Sequence, residues 1–137
     1  MPDGDPDPEL VEILETRDHE LPSHTLSPGA ARAQRQGRHV PPERADDVAR
    51  VRDLGIEGPG GHVPVRIYEP ADAGSGPHPA VVYFHGGGWV IGSIDSHDPL
   101  CRALANAAGA VVVSVDYRLA PEDTFAAAIE DAYAATA

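Results

Sequence analysis

Two short runs constrain this chain more than anything else in it: AVVYF at Ala80–Phe84 and VVVSV at Val111–Val115. Both are almost wholly apolar and rich in β-branched residues. Such runs mark strands buried on both faces, as in a parallel sheet. Parallel neighbours cannot be joined by a hairpin and need a crossover, usually a helix. The residues between supply one. Ser96 can cap a helix whose first turn holds Asp98 and Pro99. Leu100, Ala103, Leu104 and Ala107 recur as its apolar stripe, and Gly109 stops it. The chain therefore carries a strand–helix–strand unit, and its fold class is α/β.

Upstream the pattern is antiparallel. VARVRDLGI, from about Val48, is strand-like, and GPGG at 58–61 is a turn. HVPVRIY then alternates, with Val63, Val65 and Ile67 on one face. Pro64 predicts an edge position for that strand. Before residue 48 the signals are helical. Asp7-Pro8 opens a helix carrying Leu10, Ile13 and Leu14 and ending near Arg17; Ser27-Pro28 opens a second, which Gly37 ends. The chain thus divides into helical residues 1–47 and sheet-forming residues 48–137. A last helix places Phe125, Ile129 and Tyr133 one turn apart. A parallel sheet that stops on an open helix reads as a partial fold. Its apolar edge beyond Val111–Val115 is expected to be exposed, and the 137-residue chain alone to be weakly stable or aggregation-prone.

Charge narrows the partners. Net charge is −12, from 22 Asp and Glu against ten basic residues, all arginine. Phosphate backbones need clustered Lys or Arg, so nucleic acid is not an expected partner, nor is an anionic membrane. The acidic surface suits solubility or a high-salt host. Cys101 is the lone cysteine, so no internal disulfide exists. MPDGDPDPE lacks the apolar run of a signal peptide, and no stretch approaches a membrane span. A cytoplasmic protein is expected. DSHD at 95–98 hints at metal ligands but reads as a helix cap with a solvated first turn, so no metal is expected.

The first apolar strand runs into HGGGWVIG. A glycine triplet costs backbone entropy and implies close approach of the main chain to something. A nucleotide triphosphate loop needs a lysine, and there is none. A dinucleotide-binding module is an alternative: Gly86, Gly88 and Gly92 have suitable spacing and Asp116 ends the next strand. In that fold, however, the glycine loop opens the helix directly, whereas here Trp89 to Asp95 intervene. The third possibility is an oxyanion hole, where main-chain N–H groups stabilise the negative oxygen of a tetrahedral intermediate.

HGGGW at 85–89 followed by DYRLAPE at 116–122 resembles the hormone-sensitive-lipase-like branch of the α/β-hydrolases. SHDPLCRALA between the motifs and FAAAIEDAYAA after them fit the same family. The resemblance is specific from about Val63 to Ala137 and looser over the first 47 residues, where these enzymes carry cap helices. It implies a partial α/β-hydrolase fold and hydrolysis of small apolar carboxylic esters by a serine nucleophile, with no cofactor. Gly87 and Gly88 match the oxyanion-hole glycines, and His85 and Gly86 the residues shaping that loop. Trp89 matches an aromatic beside the substrate pocket. Asp116, Tyr117, Arg118 and Glu122 match a mainly structural motif. Where the family usually has His-Pro and then Phe-Pro, this chain has Asp123-Thr124-Phe125-Ala126. No serine stands in a Gly-x-Ser-x-Gly elbow, so the 137 residues carry the oxyanion loop but no triad. The alternative is a non-catalytic remnant, or one half of a split enzyme whose C-terminal part is a separate chain.

Overall fold

In the computed structural model, parallel pairing of strands β3 (Ala80–Phe84) and β4 (Val111–Val115) sets Phe84 opposite Val115. Residues 11, 21–36, 45–74 and 76–137 are described. The helix expected to end near Arg17, apart from helical Val11, and the stop at Gly37 lie outside them. Upstream, β1 (Arg50–Gly58) and β2 (Gly61–Glu69) form an antiparallel hairpin through Pro59 and Gly60. β2 then pairs antiparallel with β4, giving one four-stranded sheet in the order β1-β2-β4-β3. Three α-helices pack with the sheet or its loops: α1 (Pro28–Gln36), α2 (Asp98–Ala108) and α3 (Phe125–Ala134). Ser27 Oγ accepts the Ala30 N–H at 3.3 Å, the cap that Ser27-Pro28 predicts.

Strand alternation sends side chains to two faces, and each face has its own helix. Val63, Val65, Val115 and Tyr117 pack with Ala128 of α3. Tyr68 and Val112, pointing the other way, pack with Cys101 and Ala105 of α2. Tyr68 is fully buried and donates its hydroxyl to Asp98 Oδ1 at 2.9 Å. Asp98 also accepts Arg102 Nε at 2.7 Å, and its charge sits in the first turn of α2, where the helix dipole favours an anion.

Four local expectations change. Pro64 lies in an interior strand, not at an edge. Its carbonyl accepts the Asp116 N–H at 2.9 Å, one residue beyond the last β2–β4 pair, Val65 with Val115. Its missing N–H would face the same side, past the end of the ladder, so no sheet bond is lost. The open edge of the parallel pair is β3, not β4, because β4 is held between β2 and β3. β3 is accordingly only half-buried, with Ala80 and Phe84 exposed. Ser96 does not cap α2; its hydroxyl is used within Ser93–His97, accepting the Ser93 N–H and donating to the Ser93 carbonyl, each at 2.9 Å. A 3-10 turn at Asp95–His97 precedes the helix, so Asp98, Cys101 and Ala105 face inward while Leu100 faces out.

Arg118 seams α3 to the hairpin. Its main-chain N–H and its Nε each reach Asp131 Oδ2 at 2.9 Å, and Nη2 reaches Oδ1 at 2.8 Å. A side chain at Gly60 would meet the guanidinium at 2.4 Å, so the fork lies against the β1–β2 turn. Burial alone would raise the Asp131 carboxyl, but the Arg118 hydrogen bonds outweigh it and hold it below the usual carboxylate range. Asp131→Ala leaves the Arg118 N–H without its acceptor and is expected to cost about 1–3 kcal/mol in denaturant unfolding. The native carboxyl titrates below its unfolded value, so its contribution is complete above about pH 4 and disappears as pH falls through the depressed range. Wild type should therefore lose more stability on acidification than Asp131→Asn; parallel pH profiles would contradict the assignment.

Candidate functional site

Parallel strands in register deliver the chain that follows them to the same end of the sheet. Because Phe84 pairs with Val115, His85 and the Asp116-Tyr117 segment emerge side by side. The His85 and Tyr117 rings stack at 4.4 Å, and the Tyr117 hydroxyl donates to the His85 carbonyl at 2.5 Å. His85 is buried. Its Nδ1 lies 3.1 Å from the Gly86 carbonyl, which makes Nδ1 the protonated nitrogen in that contact. Its Nε2 has no hydrogen-bond partner among the described residues; Asp116 Oδ1 is 3.9 Å away, beyond bonding distance. His97 stacks on the far side of His85 at 5.6 Å. Desolvation raises the Asp116 carboxyl, with the Ile94 main chain and the neighbouring His85 pulling the other way.

The glycines then form a tight turn. Val90 and Ile91 both donate their N–H to the Gly87 carbonyl, at 3.2 and 3.0 Å. Gly87 has φ 144°, and a Cβ there would lie 1.8 Å from the Ile91 carbonyl oxygen. That position admits glycine alone. Gly88 is left-handed at φ 61°, yet a Cβ there would meet nothing within 4 Å. Trp89, also left-handed at φ 59°, is strained for a bulky residue, a feature concentrated at functional sites. Among the described residues none accepts a hydrogen bond from the Gly87 or Gly88 N–H.

This turn borders an apolar cleft of about 320 Å³. Phe84, His85 and the three glycines form one side; Trp89 and Tyr117 continue it, and Ala128, Ile129 and Ala132 of α3 close the other. Trp89 meets Phe125 edge-to-face at 5.1 Å. The cleft lies off the C-terminal ends of the parallel strands, where open α/β sheets place ligands. Phe125, Ile129 and Tyr133 form an exposed apolar stripe on α3.

Of the residues singled out from sequence, His85, Gly86, Gly87, Gly88, Trp89 and Tyr117 gather at the cleft. Asp116 flanks it, while Arg118 and Glu122 turn away to hold α3 and α1. No group of three or more His, Cys, Asp or Glu among the described residues could hold a metal ion. Sequence reasoning missed Arg32, which reaches this loop from α1, and the small residues Ala128 and Ala132 that leave room for the cleft. The helical spacing of α3 offered a signal for the alanines; nothing local marks Arg32. Gly87→Ala is expected to cost at least about 2 kcal/mol, because the turn must rebuild, whereas Gly86→Ala, with open space at its Cβ, should stay within about 0.5 kcal/mol. Equal losses in thermal or denaturant unfolding would contradict this loop geometry.

Residues 81–137 match a family model described as an α/β hydrolase fold. Esterase LipI of Mycobacterium tuberculosis is 44% identical over 131 residues, covering 95% of this chain and 40% of the relative. An ethyl acetate hydrolase of Pseudomonas putida is 41% identical over 131 residues, covering 90% and 40%. The solved structure of a hyperthermophilic esterase from the archaeon Pyrobaculum calidifontis has a TM-score of 0.79 and 41% identity, over 94% of this chain and 42% of that one. The chain spans about 40% of the length of these curated relatives. Strand order, cleft and these likenesses together give the chain an α/β-hydrolase fold, similar over most of its length to part of these esterases.

Proposed function

We propose that this chain provides the oxyanion-stabilising part of a carboxylic-ester hydrolase of the hormone-sensitive-lipase-like branch. The observation that carries the reading is the turn at Gly86–Gly88, whose Gly87 and Gly88 N–H groups have no acceptor among the described residues and border an apolar cleft. In such a reaction a serine hydroxyl adds to the ester carbonyl. The carbonyl oxygen becomes an anion, and the Gly87 and Gly88 N–H groups hydrogen-bond to it. Each preorganised donor of this kind contributes about 2.7–4 kcal/mol to the transition state. His85 and Gly86 shape the loop, Trp89 borders the acyl group, and Asp116, Tyr117, Arg118 and Glu122 hold the frame.

The nucleophile elbow and the triad's acid and base are absent from the 137 residues. The exposed stripe Phe125, Ile129 and Tyr133 and the open edge of β3 are surfaces that the remaining part of such an enzyme would cover, whether on the same or a separate polypeptide. Residues 1–47 are assigned to a cap over the site and residues 48–137 to the hydrolase core. Small apolar esters suit the cleft. The ethyl acetate hydrolase among the relatives is named for an ester of that size. No helix among the described residues is long and apolar enough to cross a membrane. A lone free cysteine, buried on the sheet-facing side of α2, suits a reducing compartment, and the cytoplasm is the proposed location.

The 137-residue chain alone is expected to show no phosphonate-sensitive hydrolysis of p-nitrophenyl butyrate. Joined to a C-terminal segment carrying Gly-x-Ser-x-Gly and the remaining triad, it should turn this ester over, and a serine-directed phosphonate should abolish the activity. Phosphonate-sensitive turnover by the chain alone would contradict the absence of the nucleophile; no turnover by the joined, folded protein would contradict the ester reading.

A further inference from the structure

The side chain of Arg32 directs four of its five N–H donors at one corner of the fold. Nε donates to the Val90 carbonyl at 2.8 Å and Nη2 to the Ala120 carbonyl at 2.8 Å. Nη1 and Nη2 also take both oxygens of Glu122, each at 2.8 Å. Those two carbonyls belong to segments already in contact, because Ala120 donates its N–H to the Trp89 carbonyl at 2.7 Å. Val90 closes the turn that begins at Gly87. Arg32 itself is on α1, where Ala31 is the buried residue. That helix brings little apolar surface to the body, so its docking depends heavily on this fork.

We propose that Arg32 is a positioning residue: through it α1 pins the Val90 and Ala120 carbonyls, and so sets the geometry of the Gly87 and Gly88 N–H groups. The proposal rests on reading those groups as oxyanion donors. Four bonds in one plane need a guanidinium; an ammonium is a point donor and cannot hold two carbonyls and a bidentate carboxylate together. Glu122 contributes less than its two bonds suggest. Its side chain is 60% exposed, and exposed ion pairs are screened. Its carboxyl is nevertheless held down to about 2, chiefly by the Arg32 hydrogen bond, so the fork stays charged on both sides through ordinary pH. The part that matters for the loop is the pair of carbonyl bonds. A loose donor loop is costly because displacement of catalytic groups by about 1 Å can lose about a hundredfold in rate.

Amide hydrogen exchange, with emission from Trp89, the chain's single tryptophan, tests this. In Arg32→Ala the Val90 and Ile91 amides should exchange about tenfold faster and the Trp89 emission should shift. The amides of Ile67 and Val113 in the sheet should stay unchanged. Arg32→Lys should lie between Arg32→Ala and wild type, and Glu122→Gln, which keeps both carbonyl bonds, close to wild type. Unchanged Val90 and Ile91 exchange in Arg32→Ala would overturn the proposal. So would equal effects of Glu122→Gln and Arg32→Ala, since the ion pair alone would then explain the coupling. Should Arg32→Ala lose its sheet protection, the order of Arg32→Lys and Glu122→Gln decides. The test is independent of turnover: a failed ester reading leaves the amide pattern standing, and a failed clamp removes it whatever the activity.

Discussion

The pairing of Phe84 with Val115 in parallel register is the constraint on which the rest of the site depends. A parallel pair sends both of its outgoing segments to one end of the sheet, so His85 and Tyr117 meet without any long-range search. Their stacked rings and the bond from the Tyr117 hydroxyl to the His85 carbonyl fix the start of the glycine turn. Gly87 can then take a conformation that no side chain would allow, and the Gly87 and Gly88 N–H groups have no acceptor among the described residues. Moving the register by one residue would carry Tyr117 off the His85 ring and remove the turn's foundation.

Around this centre the chain uses arginine, and only arginine, as its cation. Three forks do separate jobs. Arg118 joins α3 to the hairpin through Asp131; Arg66 takes both oxygens of Asp53 and one of Asp95, holding β2 to β1 and to the turn before α2; Arg32 joins α1 to the two loops of the site. A planar donor set fixes direction as well as charge, which suits joints between elements that share little apolar surface. In a chain of net charge −12 these forks also pair with Glu122, Asp53, Asp95 and Asp131.

What was legible in the sequence was short-range. The two apolar strands, the hairpin turn at Pro59-Gly60 and the glycine loop each declare themselves within a few residues. The misreadings all needed neighbours that a local pattern does not name. Pro64 signals an edge, but whether its missing N–H costs a bond depends on where β4 ends. The 3-10 turn at Asp95–His97 shifts α2 so that Asp98, Cys101 and Ala105 face the sheet, a rotation that the leucine spacing alone does not give. Strand order is likewise unwritten in chain order, so β3 and not β4 is the open edge. At the site, the motif residues were readable because they follow directly from the strands. Arg32 was not, since its partners lie 58 to 90 residues away in sequence.

The proposal most in need of a test is that Gly87 and Gly88 stabilise an oxyanion formed by a serine nucleophile that the 137 residues do not contain. The most direct measurement is the nucleotide sequence of the native transcript past codon 137. An oxyanion role for the loop predicts an open frame leading into a Gly-x-Ser-x-Gly elbow and then an Asp or Glu and a His, or a companion frame encoding them. A stop directly after Ala137 with no companion frame would contradict it, leaving Gly87 and Gly88 as donors with no serine to serve.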